Sequence, residues 1–65
     1  SNEQKGLEHL RETLVAITEG NTDKATQSQK KFKKYLGKDP LNKILQTQIK
    51  KTKDLKIVNV EKGSD

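Results

Sequence analysis

The sequence predicts an all-α fold: a small three-helix domain, an antiparallel helical hairpin plus a third helix, with an extended C-terminal tail. Three observations lead there. Apolar residues return at helical spacings in three separate segments. Glycine, or glycine followed by proline, separates those segments. Alternating β-branched residues are confined to one short run near the C-terminus. The division that follows is a helical domain over 1–55 and an extended or disordered tail over 56–65.

The first helix spans about Glu3 to Glu19. Leu7, Leu10, Leu14 and Ile17 recur at spacings of three, four and three, and Val15 and Ala16 widen the stripe. Glu3 and Glu8 complement the helix dipole, while Gly6 weakens the first turn. Ser1-Asn2 reads as a remnant of processing and carries no weight in the fold. Gly20 supplies a left-handed stop.

Asn21 or Thr22 can cap the second helix, whose inward residues are Ala25, Ser28, Phe32 and Tyr35 with Leu36. Gly37 ends it, and the short Gly20 connection makes helices one and two an antiparallel pair. Asp39 then caps a third helix opened by Pro40, with an inward stripe of Leu41, Ile44, Leu45, Gln48, Ile49 and Thr52. That helix is expected to fail near Lys53 to Leu55. Ile57, Val58 and Val60 then suit an extended segment able to pair with a symmetry mate or a partner's sheet edge.

Composition narrows function further. Only 28% of the 65 residues are apolar and none is cysteine. Below about 70–80 residues a single core rarely supplies more than ~3–5 kcal/mol without a staple. Disulfides are excluded, and one histidine without cysteine cannot complete a tetrahedral zinc site. Self-association or a protein partner remains as support.

Catalysis lacks its parts. His9 falls on the polar side of a helix centred on its leucines, and Glu8 and Glu12 are explained by surface pairing with Lys5 and Arg11. No glycine-rich phosphate loop is present. The chain is therefore read as a non-enzyme with no cofactor, no metal and no small-molecule substrate. No apolar run reaches the roughly 18 residues of a membrane span. Absent cysteine accords with a cytoplasmic setting.

Charge is unevenly distributed. Residues 1–23 carry five acids against Lys5 and Arg11, whereas residues 24–56 carry eleven lysines against Asp39 and Asp54. Lys30, Lys31, Lys33, Lys34, Lys43, Lys50 and Lys53 are candidate nucleic-acid-binding residues, since clustered lysines can neutralise phosphates. Helices two and three also fit a helix-turn-helix in outline, with Asn42, Lys43, Gln46 and Lys50 facing a groove. The principal expectation is a small helical interaction module, an adaptor or regulator that forms a homo-oligomer or docks on a protein partner. Its candidate interface is Leu10, Leu14, Ile17, Phe32, Leu45, Ile57, Val58 and Val60. The alternative is a basic nucleic-acid-binding protein.

Overall fold

The computed structural model describes the backbone of residues 1–63 and the side chains of residues 1–56. Three helices follow one another: α1 (Asn2–Thr18), α2 (Thr22–Leu36) and α3 (Leu41–Gly63). The antiparallel α1–α2 hairpin is the most tightly joined pair, and α3 packs mainly on α2. The molecule is elongated, with principal extents of 50 × 17 × 13 Å.

The helix ends follow local chemistry. Ser1, set aside in the sequence reading, caps α1: its Oγ accepts from the Gln4 N–H, and the Gln4 side chain returns a bond to the Ser1 amino group. Gly20 has φ of 73°, which lets the Gly20 and Asn21 N–H groups bond the Ile17 and Ala16 carbonyls. Of the two candidate caps for α2, Asn21 takes the role and accepts from the Lys24 N–H at 3.2 Å. Asp39 accepts from the Leu41 N–H at 2.9 Å and so starts α3.

The phase of α1 differs from the leucine-centred expectation. Its buried positions are Gly6, Thr13 and Ala16; Gly6 lies against Leu36 of α2 and Ala16 clusters with Ala25. Leu7 and Leu14 are half exposed, and Leu10 and Ile17 lie at the edge. The reason is separation: small residues let two backbones approach, and close packing then rewards the contact along its whole length. A methyl group at Gly6 would lie 2.6 Å from Leu36 Cδ1, so α2 occupies the space a side chain would need. Thr13 satisfies its hydroxyl by bonding the His9 carbonyl at 2.7 Å, which makes its burial tolerable.

Helix α2 keeps the phase read from its spacing, with Phe32 fully enclosed. On α3, Leu45 and Ile49 are buried, whereas Ile44, placed inward by the same reading, is 60% exposed. Asn42 takes an inward position beside them and is 6% exposed. It accepts from Gln29 Nε2 at 3.0 Å and donates to the carbonyls of Leu36 and Asp39. This amide pair ties the start of α3 to α2.

Helix α3 also runs further than the sequence suggests. Its backbone is helical to Gly63, crossing the expected boundary at 55/56, where an extended tail was expected. Ile and Val each cost at most about 0.7 kcal/mol in a helix, and no glycine or proline intervenes before Gly63. With no strand among the described residues to pair with, continuing an existing helix costs less than opening a new element. The side chains of Ile57, Val58 and Val60 lie outside the described residues.

Candidate functional site

Helix geometry assigns each flank of the hairpin a distinct chemistry. One flank of α1 faces one flank of α2 through Glu12 and Ser28, whose Oε2 and Oγ are 3.4 Å apart, and through His9 and Tyr35. The His9 and Tyr35 rings stack with centroids 5.7 Å apart and an interplanar angle of 12°. His9 therefore turns into the hairpin, not to solvent as its distance from the leucines implied. Its Nδ1 is enclosed without a hydrogen-bond partner, 3.7 Å from Glu12 Oε2. Glu12 approaches His9 and Ser28; among the described residues no Lys or Arg lies within ion-pair distance of Glu8 or Glu12.

The opposite flank of the hairpin carries α3, held there by Gln29–Asn42 and by the cluster of Ala16, Ala25 and Ile49 with Ile17 packed against it. Residues advance by about 100° per position on a helix. Leu7, Leu10 and Leu14 consequently lie on the α3-facing flank of α1. On α3, Ile44 and Leu55 lie on the flank turned toward α1, away from Asn42. Leu14 is 50% exposed and Leu55 63%. The side between α1 and α3 is thus open, with exposed apolar side chains on both helices. Leu7, Leu10, Arg11 and Leu14 border a shallow depression of about 310 Å³ on the surface of α1.

The side between α2 and α3 is the chemical opposite. Lys30, Lys50 and Lys53 line one cavity of about 310 Å³ together with Thr26, Gln29, Gln46 and Ile49. Lys33, Lys38 and Lys43 line a neighbouring one of about 440 Å³ with Gly37, Asp39, Pro40, Asn42 and Gln46. Gln46 borders both, so the two cavities are halves of one lysine-lined cleft. Its single lining carboxylate, Asp39, is engaged by the Leu41 N–H.

Five of the seven lysines singled out from sequence meet at this cleft: Lys30, Lys33, Lys43, Lys50 and Lys53. Lys31 and Lys34 do not line it, and Lys34 Nζ sits 5.9 Å from the Tyr35 ring. Lys38, in the connection before α3, is a cleft residue the helical pattern missed; its proximity to the Gly37 stop was the available signal. Asn42 is buried in the α2–α3 contact, so the groove-facing set of the helix-turn-helix outline loses its first member. Of the candidate interface residues, Phe32 and Leu45 are enclosed within the chain, whereas Leu10 and Leu14 lie on the open side and Ile17 at its edge. Leu7 and Ile44 are exposed as well, at positions the helical spacing placed inward.

Among the described residues no group of three or more His, Cys, Asp or Glu side chains is placed to hold a metal ion, and no helix is long and apolar enough to cross a membrane. Comparison of the chain with known protein families, with curated proteins and with solved structures finds no match.

Proposed function

We propose that this chain is a non-enzymatic helical interaction module that self-associates through the open side between α1 and α3. The supporting observation is the exposure of Leu7 and Leu14 on α1 and of Ile44 and Leu55 on α3, four large apolar residues. Contiguous exposed apolar surface marks association sites on small proteins. A second copy is the fitting occupant. Leu7 and Leu14 stand on either side of Leu10, so an antiparallel copy of α1 sets Leu7 against Leu14 at both ends. That is the self-complementarity a two-fold interface requires. The three-four-three spacing of α1 is also a coiled-coil seam, of which only Ile17 is packed against the chain's own core cluster. A standard interface covers roughly 800 Å² on each partner, about a sixth of this chain's 5028 Å².

The non-enzymatic reading is supported by His9, the only imidazole, which is committed to stacking on Tyr35. Sedimentation equilibrium over a concentration series tests the proposal. The expected result is a dimer that Leu14→Asp converts to a monomer, with helix content unchanged because residue 14 is half exposed within one chain. A monomer at all concentrations up to ~1 mM, where even weak association of about −4 kcal/mol registers, overturns it. A dimer unaffected by Leu14→Asp places the interface elsewhere and overturns it equally.

A further inference from the structure

We propose that the α2–α3 cleft binds the phosphodiester backbone of a nucleic-acid duplex without reading its sequence. The cleft draws six lysines from three parts of the chain: Lys30 and Lys33 from α2, Lys38 from the connection, and Lys43, Lys50 and Lys53 from α3. All six are exposed, and no carboxylate lies within ion-pair distance of any of them among the described residues. Gathering like charges along one groove costs free energy in the isolated chain, and a polyanion relieves it. Lysine ammonium groups are compact point charges with rotatable donors, suited to phosphate oxygens and not to the planar edges of bases.

Dimensions and lining decide which polyanion. From Lys43 to Lys53 the α3 bank is roughly 15 Å long at 1.5 Å per residue. One strand of a duplex presents a phosphate every ~3.4 Å along the axis, so four or five phosphates lie within reach. An acidic helix is a poorer occupant, because helix-in-groove docking uses rows of apolar anchors. The cleft offers Thr26, Gln29 and Gln46 with two separated apolar side chains, Pro40 at one end and Ile49, the latter already 94% covered by the chain itself. Single strands bind through aromatic stacking platforms. Here Phe32 is enclosed and Tyr35 is stacked on His9, so neither offers a free ring face along the cleft. What remains is contact with the backbone, the sequence-independent component of nucleic-acid binding.

The test compares two variants of equal net charge. In the first, Lys30, Lys33, Lys50 and Lys53 become glutamine; in the second, Lys24, Lys31, Lys34 and Lys51, which line neither half of the cleft, do so. All eight side chains are exposed, so both variants should retain helix content, checked by circular dichroism. Binding to fluorescent DNA and RNA duplexes of two unrelated sequences, to single strands of equal length and to polyglutamate is followed by anisotropy from about 50 to 200 mM salt, the range over which phosphate contacts weaken steeply. The expected result is equal affinity for the unrelated duplexes and weaker binding of single strands and polyglutamate. The cleft variant should lose at least tenfold in affinity and flatten the log–log salt slope by up to ~0.9 for each phosphate contact removed. The control variant should lose much less. Equal losses in the two variants would reduce the effect to net charge and overturn the proposal. So would tighter binding of polyglutamate or single strands, or no duplex binding at the lowest salt. DNA and RNA arms identify which duplex is preferred.

Discussion

Gly6 and Asn42 carry structural weight out of proportion to their size. A glycine inside a helix ordinarily gives up about 1 kcal/mol relative to alanine. At Gly6 that gain is unavailable, because the added methyl meets Leu36 Cδ1 at 2.6 Å and Cγ at 2.8 Å. Gly6→Ala should therefore destabilise by about 1 kcal/mol, which lowers Tm by ~4–8 °C in a domain of this size. In a background of Leu36→Ala the same change should become neutral or stabilising, and a thermal double-mutant cycle measures the reversal. Asn42 fills three hydrogen-bond roles at once. Asn42→Ala strands the Gln29 amide in a buried site, while the Leu36 carbonyl keeps the Asp39 N–H, at an expected cost of about 1–3 kcal/mol, readable from urea unfolding. The sequence suggested other roles for both, a weak first turn at Gly6 and a groove-facing position at Asn42. Ranking by hydrophobicity points to leucines, whereas this hairpin is organised by contact distance. The readable trace was a row of small residues on α1, Gly6, Thr13 and Ala16, with Ala25 and Ser28 among the buried positions of α2.

Boundaries set by backbone chemistry were legible, and boundaries set by preference alone were not. Gly20, Asn21 and Asp39 each do locally what their side chains or lack of one allow, so the first two helices and the start of α3 were readable from sequence. The end of α3 rested on β-branching, a weak preference that continuation of the helix overrides. The lysine pattern was legible as a cluster but not as a cleft. Lys30 and Lys33 join α3 while Lys31 and Lys34 do not, because the side of α2 that receives α3 is decided by Gln29 and Asn42. The elements also differ in how firmly they are held. Among the described residues Ile49 is the one α3 contributes to the Ala16–Ala25 cluster, while α1 and α2 form the most closely joined pair. Ile49→Ala should cost about 2–4 kcal/mol. Its effect should concentrate in α3: amide exchange over 42–52 should accelerate well before exchange at 13–16 and 25–32, as local opening of the less-packed element requires. Parallel acceleration in all three helices would mean that the chain opens as one unit.

At the scale of the whole molecule, charge is the organising asymmetry. Acidic α1 packs against basic α2, an attractive arrangement, while basic α2 packs against basic α3, a repulsive one. Only His9 and Glu12 approach as a potential ion pair among the described residues, so the attraction is diffuse. The repulsion is concentrated, with six lysines sharing one cleft and a net charge of +5 on the chain. Salt screens both, and the Debye length falls from about 10 Å at 0.1 M to ~3 Å at 1 M. Because the closely spaced repulsive set outweighs the dispersed attraction, added salt should stabilise the fold. The Tm at 0.5 M sodium chloride should exceed that at 0.02 M by several degrees, equivalent to about 1 kcal/mol for a domain this small. Anion identity separates general screening from occupation of the cleft. Phosphate at matched ionic strength should raise Tm beyond chloride, because an ion that binds only the folded state stabilises it by mass action. Sulfate and phosphate also strengthen apolar burial generally, so the decisive comparison is internal. In the Lys30, Lys33, Lys50 and Lys53 glutamine variant, the excess of phosphate over chloride should shrink toward the small value that exclusion from protein surface produces. An undiminished excess in that variant would show that the cleft holds no anion. A Tm that falls with sodium chloride would show that the α1–α2 attraction, not the α2–α3 repulsion, dominates the molecule's electrostatics.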